Sequence, residues 1–104
     1  MATAITMEFN GATLAQYDQV IEKMGLTPGG PAPAGAISHW VAATDNGILV
    51  TDVWETREQY DAFAKDQIGP ITAEVGFPDA PKVTYFDVHN YFTQAPPPDP
   101  SGPG

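Results

Sequence analysis

Residues 36–56, AISHWVAATDNGILVTDVWET, contain the pattern that decides the fold. Two apolar segments, Ala36 to Thr44 and Ile48 to Glu55, flank the polar tripeptide Asp45-Asn46-Gly47. Asn-Gly between two apolar segments is the strongest short-range signal for a β-hairpin. The stretch therefore predicts two antiparallel strands, and their register decides which side chains share a face of the sheet.

Helices are predicted on either side of this hairpin from their capping residues. Thr13 with Gln16, and Thr56 with Gln59, match the capping box, in which two side chains satisfy free backbone amides at a helix start. Gly25 is placed to end the first helix, because glycine adopts the left-handed C-cap conformation without steric cost. The apolar face of the second helix consists of Tyr60, Phe63, Ala64 and Ile68.

The remaining segments complete the order strand-helix-strand-strand-helix-strand. Residues 4–9 alternate apolar and polar side chains, and residues 82–92 are rich in Val, Tyr and Phe, so both are predicted strands. Gly69-Pro70 is expected to break or kink the second helix, since proline has no amide hydrogen. Residues 25–35 form a Pro/Gly-rich loop, either a connector or a lid. Residues 93–104 form a Pro/Gly-rich tail outside the domain of residues 1–92.

This order predicts the ferredoxin-like α+β fold, with an antiparallel sheet in the strand order four, one, three, two. Both helices then cover the same face. Apolar rows are expected on the first strand (Ile5, Met7 and Phe9) and on the last (Phe86, Val88 and Phe92). Because large apolar surfaces rarely stay exposed, we expect a second copy to cover the open face, giving a homodimer. The alternative is that the tail covers it.

The charge of the chain narrows the choice of partner. Thirteen acidic residues against four Lys and Arg give a net charge of −9. Nucleic-acid binding and attachment to anionic membranes both need clustered cations, so neither is expected. No apolar run approaches the roughly 20 residues that cross a bilayer. The chain has no cysteine and shows no secretory signal, so a cytoplasmic protein is the default expectation.

Polar and aromatic residues are predicted to gather at one edge of the sheet. Antiparallel pairing brings His39, Trp54 and His89 to the same end of their strands. A hairpin turn of two or four residues would place His39 on the face of Asp52 and Trp54, whereas a three-residue turn would reverse the register. His39 and His89 should lie roughly 14 Å apart across the ladder, too far to hold a metal between them.

Proton transfer is the chemistry that these residues offer. His39 can act as an acid or base near neutral pH, with Asp52 fixing its tautomer, or it is a half-buried histidine bonded to backbone. Trp54 is either a flat wall for an aromatic ligand or part of the core. The other candidate substrate-binding residues are Tyr17, Tyr60, Phe63 and His89, for which core packing or solvent exposure is the alternative.

The strand end Asp52-Val53-Trp54-Glu55-Thr56, running directly into a capped helix and followed by the Gly69-Pro70 break, resembles the dimeric α/β-barrel superfamily. Within it the chain resembles the antibiotic biosynthesis monooxygenase-like group, over residues 4–92. The resemblance implies a small-molecule pocket between helices and sheet. The activities it implies are cofactor-free oxygenation of aromatic polyketides, heme degradation, and cyclisation or isomerisation.

Heme degradation is not expected among these activities. The heme-degrading proteins carry an axial histidine on the second helix and an asparagine on the first strand, whereas residues 57–75 contain no histidine and Asn10 lies in the turn. No metal-ligand spacing, phosphate loop or dinucleotide pattern occurs, so no cofactor or metal is expected. The sequence favours a cofactor-independent oxygenase, cyclase or isomerase acting on an aromatic or polyketide-like molecule. A non-catalytic ligand-binding or accessory protein is the alternative, and a solidly packed structural dimer is a third possibility.

Overall fold

The computed structural model describes residues 1–93, so all of the predicted tail except Thr93 lies outside the described residues. The strands are β1 (Thr3–Asn10), β2 (Ala36–Thr44), β3 (Gly47–Trp54) and β4 (Lys82–Asp87). The helices are α1 (Leu14–Met24), α2 (Arg57–Phe63) and α3 (Gly69–Val75), and a π-helical segment, Ala64–Ile68, joins α2 to α3. None of these helices is long and apolar enough to cross a membrane.

The strands form one four-stranded antiparallel sheet in the order β2-β3-β1-β4. This is the predicted order four, one, three, two, and it confirms the ferredoxin-like α+β fold. Both hairpin strands lie on one side of β1, and β4 lies on the other. The connections from β1 to β2 and from β3 to β4 are helical and lie on the same face of the sheet, whereas β2 and β3 are joined by a hairpin turn.

The β2–β3 hairpin turn lies where the sequence predicts, but Gly47 is the first residue of β3 and is not part of the turn. Thr44 pairs with Gly47, so the turn contains only Asp45 and Asn46. A Cβ on Gly47 would lie 2.0 Å from the carbonyl oxygen of Phe9, which leaves no space for any side chain. Glycine is therefore needed here for the close approach of β1, and no residue other than glycine has a positive φ in the described chain.

The capping box predicted for α1 is complete, whereas only one of the two bonds predicted for α2 is formed. Thr13 and Gln16 make both hydrogen bonds of the capping box on α1, and Gly25 closes that helix with a φ of 77°. The hydroxyl of Thr56 accepts from the backbone N–H of Gln59 at the start of α2. These caps fix where each helix leaves the sheet.

Gly69-Pro70 does not end the second helical region. The chain stays helical through it, because the Gly69 N–H bonds to the Ala64 carbonyl, five residues back, in a π-helical turn. The extra residue of this turn places Pro70 in the first turn of α3, where a missing amide hydrogen costs no helical bond. The predicted break is thus a local widening of the helix.

Strand β4 is shorter than predicted and ends at Asp87. Asp87 pairs with Thr3, the first residue of β1, so the partner strand ends there. One further bond follows, from the Val88 N–H to the Ala2 carbonyl at 3.0 Å. The predicted row of Phe86, Val88 and Phe92 therefore does not form: only Phe86 lies in the strand, and Phe92 is exposed.

The core lies between the sheet and the helices. Ile5, Met7 and Phe9 face the helices and are at most 3% exposed, so the apolar row of β1 belongs to the covered face. They pack with Ile48, Val50 and Trp54 of β3 and with Tyr60 of α2. The opposite face, called here the outer face, carries the alternate residues, including Trp40, Leu49, Val53 and Phe86.

Candidate functional site

A cavity of about 1080 Å³ opens between α1, the sheet and the loop of residues 25–33. This volume lies slightly above the usual range for small-molecule pockets, about 300–1,000 Å³. The sheet residues that line it from the helix-facing side include His39, Val41, Val50, Asp52 and Trp54, and the cavity also reaches Trp40 on the edge strand β2. Tyr17 of α1, Phe63 of α2 and Ile68 of the π-helical segment line the other sides.

A chain of hydrogen bonds runs along one side of this cavity. The Tyr17 hydroxyl bonds to Nε2 of His39. Nδ1 of His39 lies 2.6 Å from Oδ1 of Asp52, and Nε1 of Trp54 donates to Oδ2 of the same carboxylate at 3.1 Å. Four side chains from α1, β2 and β3 thus form one continuous network.

The chemistry of each group fixes the direction of these bonds. The indole N–H of Trp54 is a donor only, and the ionised carboxylate of Asp52 is an acceptor only. His39 therefore donates from Nδ1, and in the neutral imidazole its Nε2 carries the lone pair that accepts from Tyr17. Once protonated at Nε2, the imidazolium would donate to the Tyr17 oxygen instead.

The register of the hairpin accounts for this arrangement. His39 pairs directly with Asp52 across β2 and β3, and Trp54 follows two residues later on the same face of β3. A register irregularity between Ala36 and Ser38 adjusts the start of β2 next to the site. The two-residue turn is the case in which the sequence predicted that His39, Asp52 and Trp54 would share a face.

Burial divides the network into a protected and an open end. Asp52 is 6% exposed and each of its oxygens accepts a hydrogen bond, whereas the His39 side chain remains 37% exposed. Burial raises the pKa of the Tyr17 phenol to about 12, and the negative charges of Asp52 and Asp18 add to the effect. Tyr17 therefore stays protonated at neutral pH and presents a neutral hydroxyl to the cavity.

Trp54 and Phe63 form an aromatic corner beside the network. Their ring centroids are 5.3 Å apart, and both residues line the cavity. Trp54 is only 2% exposed, so most of its ring packs in the core while one part borders the cavity. Trp54 is therefore a core residue that borders the cavity, and its contact with an aromatic ligand stays a prediction.

Tyr60 does not line the cavity, contrary to the prediction. It is 2% exposed and packs edge-on against Trp54, on the side of the core that leads to Tyr85 of β4. Burial raises the pKa of its phenol well above the ordinary value, with Tyr85 as the next contributor. Its part is to hold Trp54 in place, and core packing is the correct interpretation.

His89 does not line the cavity either. It lies beyond the end of β4, is exposed, and belongs to the opposite edge of the sheet from β2. Two strands separate it from His39, as the strand order predicted. The structure therefore does not bring His89 to the residues that line this cavity.

Two carboxylates at the cavity were missed by the sequence analysis. Asp18 and Glu22 of α1 both line it, on the exposed side of the helix. Their spacing of four residues places them on one helical face, next to the Tyr17 position, and that spacing is the signal that could have found them. Within residues 1–93, no group of three His, Asp or Glu could hold a metal ion.

The fold of this chain is similar to that of solved structures of antibiotic biosynthesis monooxygenase-like proteins, which is the fold that the resemblance predicted. A variant of SnoaB, a cofactor-independent oxygenase from Streptomyces nogalater, matches with a TM-score of 0.57 at 13% identity, over 89% of this chain and 97% of the other. A protein from Deinococcus radiodurans classed with the antibiotic biosynthesis monooxygenases gives 0.56 at 12% identity, over 91% and 98%.

A conserved protein from Methanosarcina mazei Go1 has the same fold, with a TM-score of 0.57 at 13% identity over 83% of this chain and 91% of the other. No family profile and no curated protein matches the sequence. At these identities the likeness establishes the fold.

Proposed function

We propose that this protein is a cofactor-independent oxygenase, cyclase or isomerase that acts on an aromatic or polyketide-like small molecule. The observation that supports this most is the network Tyr17–His39–Asp52–Trp54 along the wall of a cavity of about 1080 Å³. In this proposal His39 is the proton-transfer group and Asp52 orients it. Trp54 and Phe63 hold the ring system of the substrate.

The bond directions give the proton a defined route. Tyr17 lines the cavity and its hydroxyl bonds to Nε2 of His39, so in this proposal the hydroxyl oxygen receives the substrate proton while its own proton passes to Nε2. The products of this step are a substrate anion and an imidazolium. The buried carboxylate of Asp52 stabilises that imidazolium through Nδ1, in the manner of general base catalysis assisted by a charged neighbour.

Generating an anion is a step that oxygenation, cyclisation and isomerisation share. An aromatic or enolic anion is electron-rich, and in the oxygenase case dioxygen is the co-substrate that reacts with it. SnoaB is a cofactor-independent oxygenase with the same fold, which supports placing oxygenation first among the three reactions. The choice among them depends on the substrate.

A non-catalytic ligand-binding or accessory protein is the second candidate. It is favoured by the hydrogen bonding of His39, because both ring nitrogens already have a partner within the protein. A histidine satisfied in this way can hold α1 against the sheet without any chemistry. The cavity would then bind the same ligands and release them unchanged.

We also propose that two copies pair through their outer faces in the cytoplasm. Trp40 and Phe86 lie on that face and are each 53% exposed, and Leu49 and Val53 lie between them. Large apolar side chains grouped on one uncovered face favour a second copy as the partner. The absence of cysteine suits a reducing compartment.

Measuring turnover by the His39→Ala variant, with His89→Ala as a matched control, distinguishes an enzyme from a non-catalytic binding protein. A panel of phenolic and quinone polyketide-like compounds is incubated with each protein, and oxygen uptake and product masses are recorded. We expect His39→Ala to lose at least about 100-fold in turnover while still binding the compounds, and His89→Ala to retain full activity. Binding without turnover in the wild-type protein across the panel would favour the accessory protein.

A further inference from the structure

We infer that the cavity accepts ligands that carry no negative charge on entry, such as a neutral phenol or quinone, and rejects carboxylates and phosphate esters. This inference rests on the proposed function and names the chemical class of its substrate. The observation behind it is that none of the four Lys and Arg side chains lines the cavity.

The charges that line the cavity are all negative. Asp52 lies at its buried end, and Asp18 and Glu22 lie at its rim on α1. Within residues 1–93, which contain all four Lys and Arg of the chain, no cation lines it. A ligand anion would meet three carboxylates and find no partner for its charge.

The nearest basic residues along the chain are bound elsewhere. Lys23, next to Glu22, pairs with Glu74 of α3 at 3.0 Å. Arg57 lies 3.5 Å from Asp61 and 3.7 Å from the ring centroid of Tyr85, on the β4 side of the core. Neither side chain is among those that line the cavity.

An anion in such a cavity loses its hydration and gains no compensating ion pair. Burying an unpaired carboxylate is costly, and charges of the same sign at short range raise the cost further. Asp52 accepts hydrogen bonds from His39 and Trp54, and when the imidazole is in its neutral form both donors are uncharged, so the carboxylate keeps its negative charge. Exclusion of anions follows from the lining itself.

The proposed proton route is consistent with this selection. A neutral substrate delivers its own proton, so the anion that forms lies beside a newly formed imidazolium, and the net charge of the site does not change. A ligand that arrives already ionised brings no proton of its own, so an imidazolium partner for it requires a proton from solvent, while the carboxylates of the lining oppose its charge. The cavity therefore selects the protonated form of a weakly acidic ligand.

A matched ligand pair tests the inference by isothermal titration calorimetry at pH 7.5. The probes are 1-naphthoic acid, its methyl ester and 1-naphthol, so the acid and its ester differ mainly in charge. We expect the ester and 1-naphthol to bind at least tenfold more tightly than the acid. Equal affinity of acid and ester would overturn the inference and leave the proposed function standing, whereas binding of none of the probes would contradict the proposed ligand cavity and the inference with it.

A pair of double variants tests whether the rim carboxylates contribute. Asp18→Asn with Glu22→Gln removes two charges at the cavity, and Glu58→Gln with Asp79→Asn removes two exposed charges away from it. The first double variant should reduce the ratio of ester affinity to acid affinity at least threefold, and the second should leave this ratio unchanged. Equal narrowing in both would mean that the net charge of the protein, and not the lining, sets the selection, which would overturn the inference.

Discussion

His39 and Asp52 lie directly opposite each other on β2 and β3, with Nδ1 of the imidazole 2.6 Å from Oδ1 of the carboxylate. Because Trp54 donates to the second oxygen of Asp52, the carboxylate cannot rotate away without losing a buried hydrogen bond. The tautomer of His39 is thereby set from the buried side of the sheet, and its Nε2 faces Tyr17 and the cavity.

Asp52→Asn should impair turnover much more than ligand binding. An asparagine can donate to His39 as well as accept, so the tautomer with a proton on Nδ1 loses its preference and the imidazolium loses its charged partner. We expect turnover to fall by roughly 100-fold or more. The ¹⁵N chemical shifts of His39 report the tautomer directly, and shifts unchanged from the wild type would contradict the role given to Asp52.

Tyr17 should ionise at a higher pH than a free tyrosine, and its ionisation should lower the free energy of unfolding. Its pKa is about 12 in the folded protein against 10.0 for the free side chain. The folded state thus holds this proton more tightly, so the stabilisation is complete below pH 10 and is lost as the pH rises from about 10 to about 12. Tyrosinate absorbance in a pH titration measures this. Tyr17→Phe should remove part of the rise near pH 12 and lessen the loss of stability in that window.

Gly47→Ala should destabilise the protein more than Gly25→Ala. A methyl group at residue 47 would overlap the Phe9 carbonyl, so the hairpin or β1 has to shift, at a cost of about 2 kcal/mol or more. At Gly25 no atom lies within 4 Å of the new Cβ, and only the left-handed backbone is penalised, by about 1 kcal/mol. Urea unfolding of both variants checks the order, and the reverse order would contradict the close approach of β1 to the hairpin.

Trp40→Asp should convert a dimer into a monomer. A charge at the outer face opposes burial of that face against a second copy, whereas Leu14→Asp alters an exposed apolar residue of α1 and serves as the control. Light scattering at micromolar concentration gives the mass. A wild-type protein with the mass of one chain would contradict pairing through the outer face.

Local patterns were sufficient to predict most of the fold. The helix caps at Thr13 and Thr56 and the turn before Gly47 depend on neighbouring residues, so one sequence reveals them. The end of β4 depends on a distant partner, whereas the end of α2 depends on the helix geometry around Pro70. Strand β4 stops where β1 begins, and the π-helical segment reflects how the chain accommodates Pro70.

The candidate site was predicted in part for the same reason. His39, Asp52 and Trp54 come together through hairpin register, which a turn of known length fixes. Tyr17 and Tyr60 look alike in sequence, since both lie on the apolar face of a capped helix. Only tertiary packing places Tyr17 beside β2, at the cavity, and Tyr60 between Trp54 and Tyr85, in the core.

A structure of the protein with 1-naphthol bound would test the site most directly. We expect the naphthol ring to contact Trp54 and Phe63, with its hydroxyl oxygen within about 3 Å of the Tyr17 hydroxyl. A naphthol bound outside this cavity, or bound within it with its hydroxyl directed away from Tyr17 and His39, would contradict the assignment of this network as the functional centre.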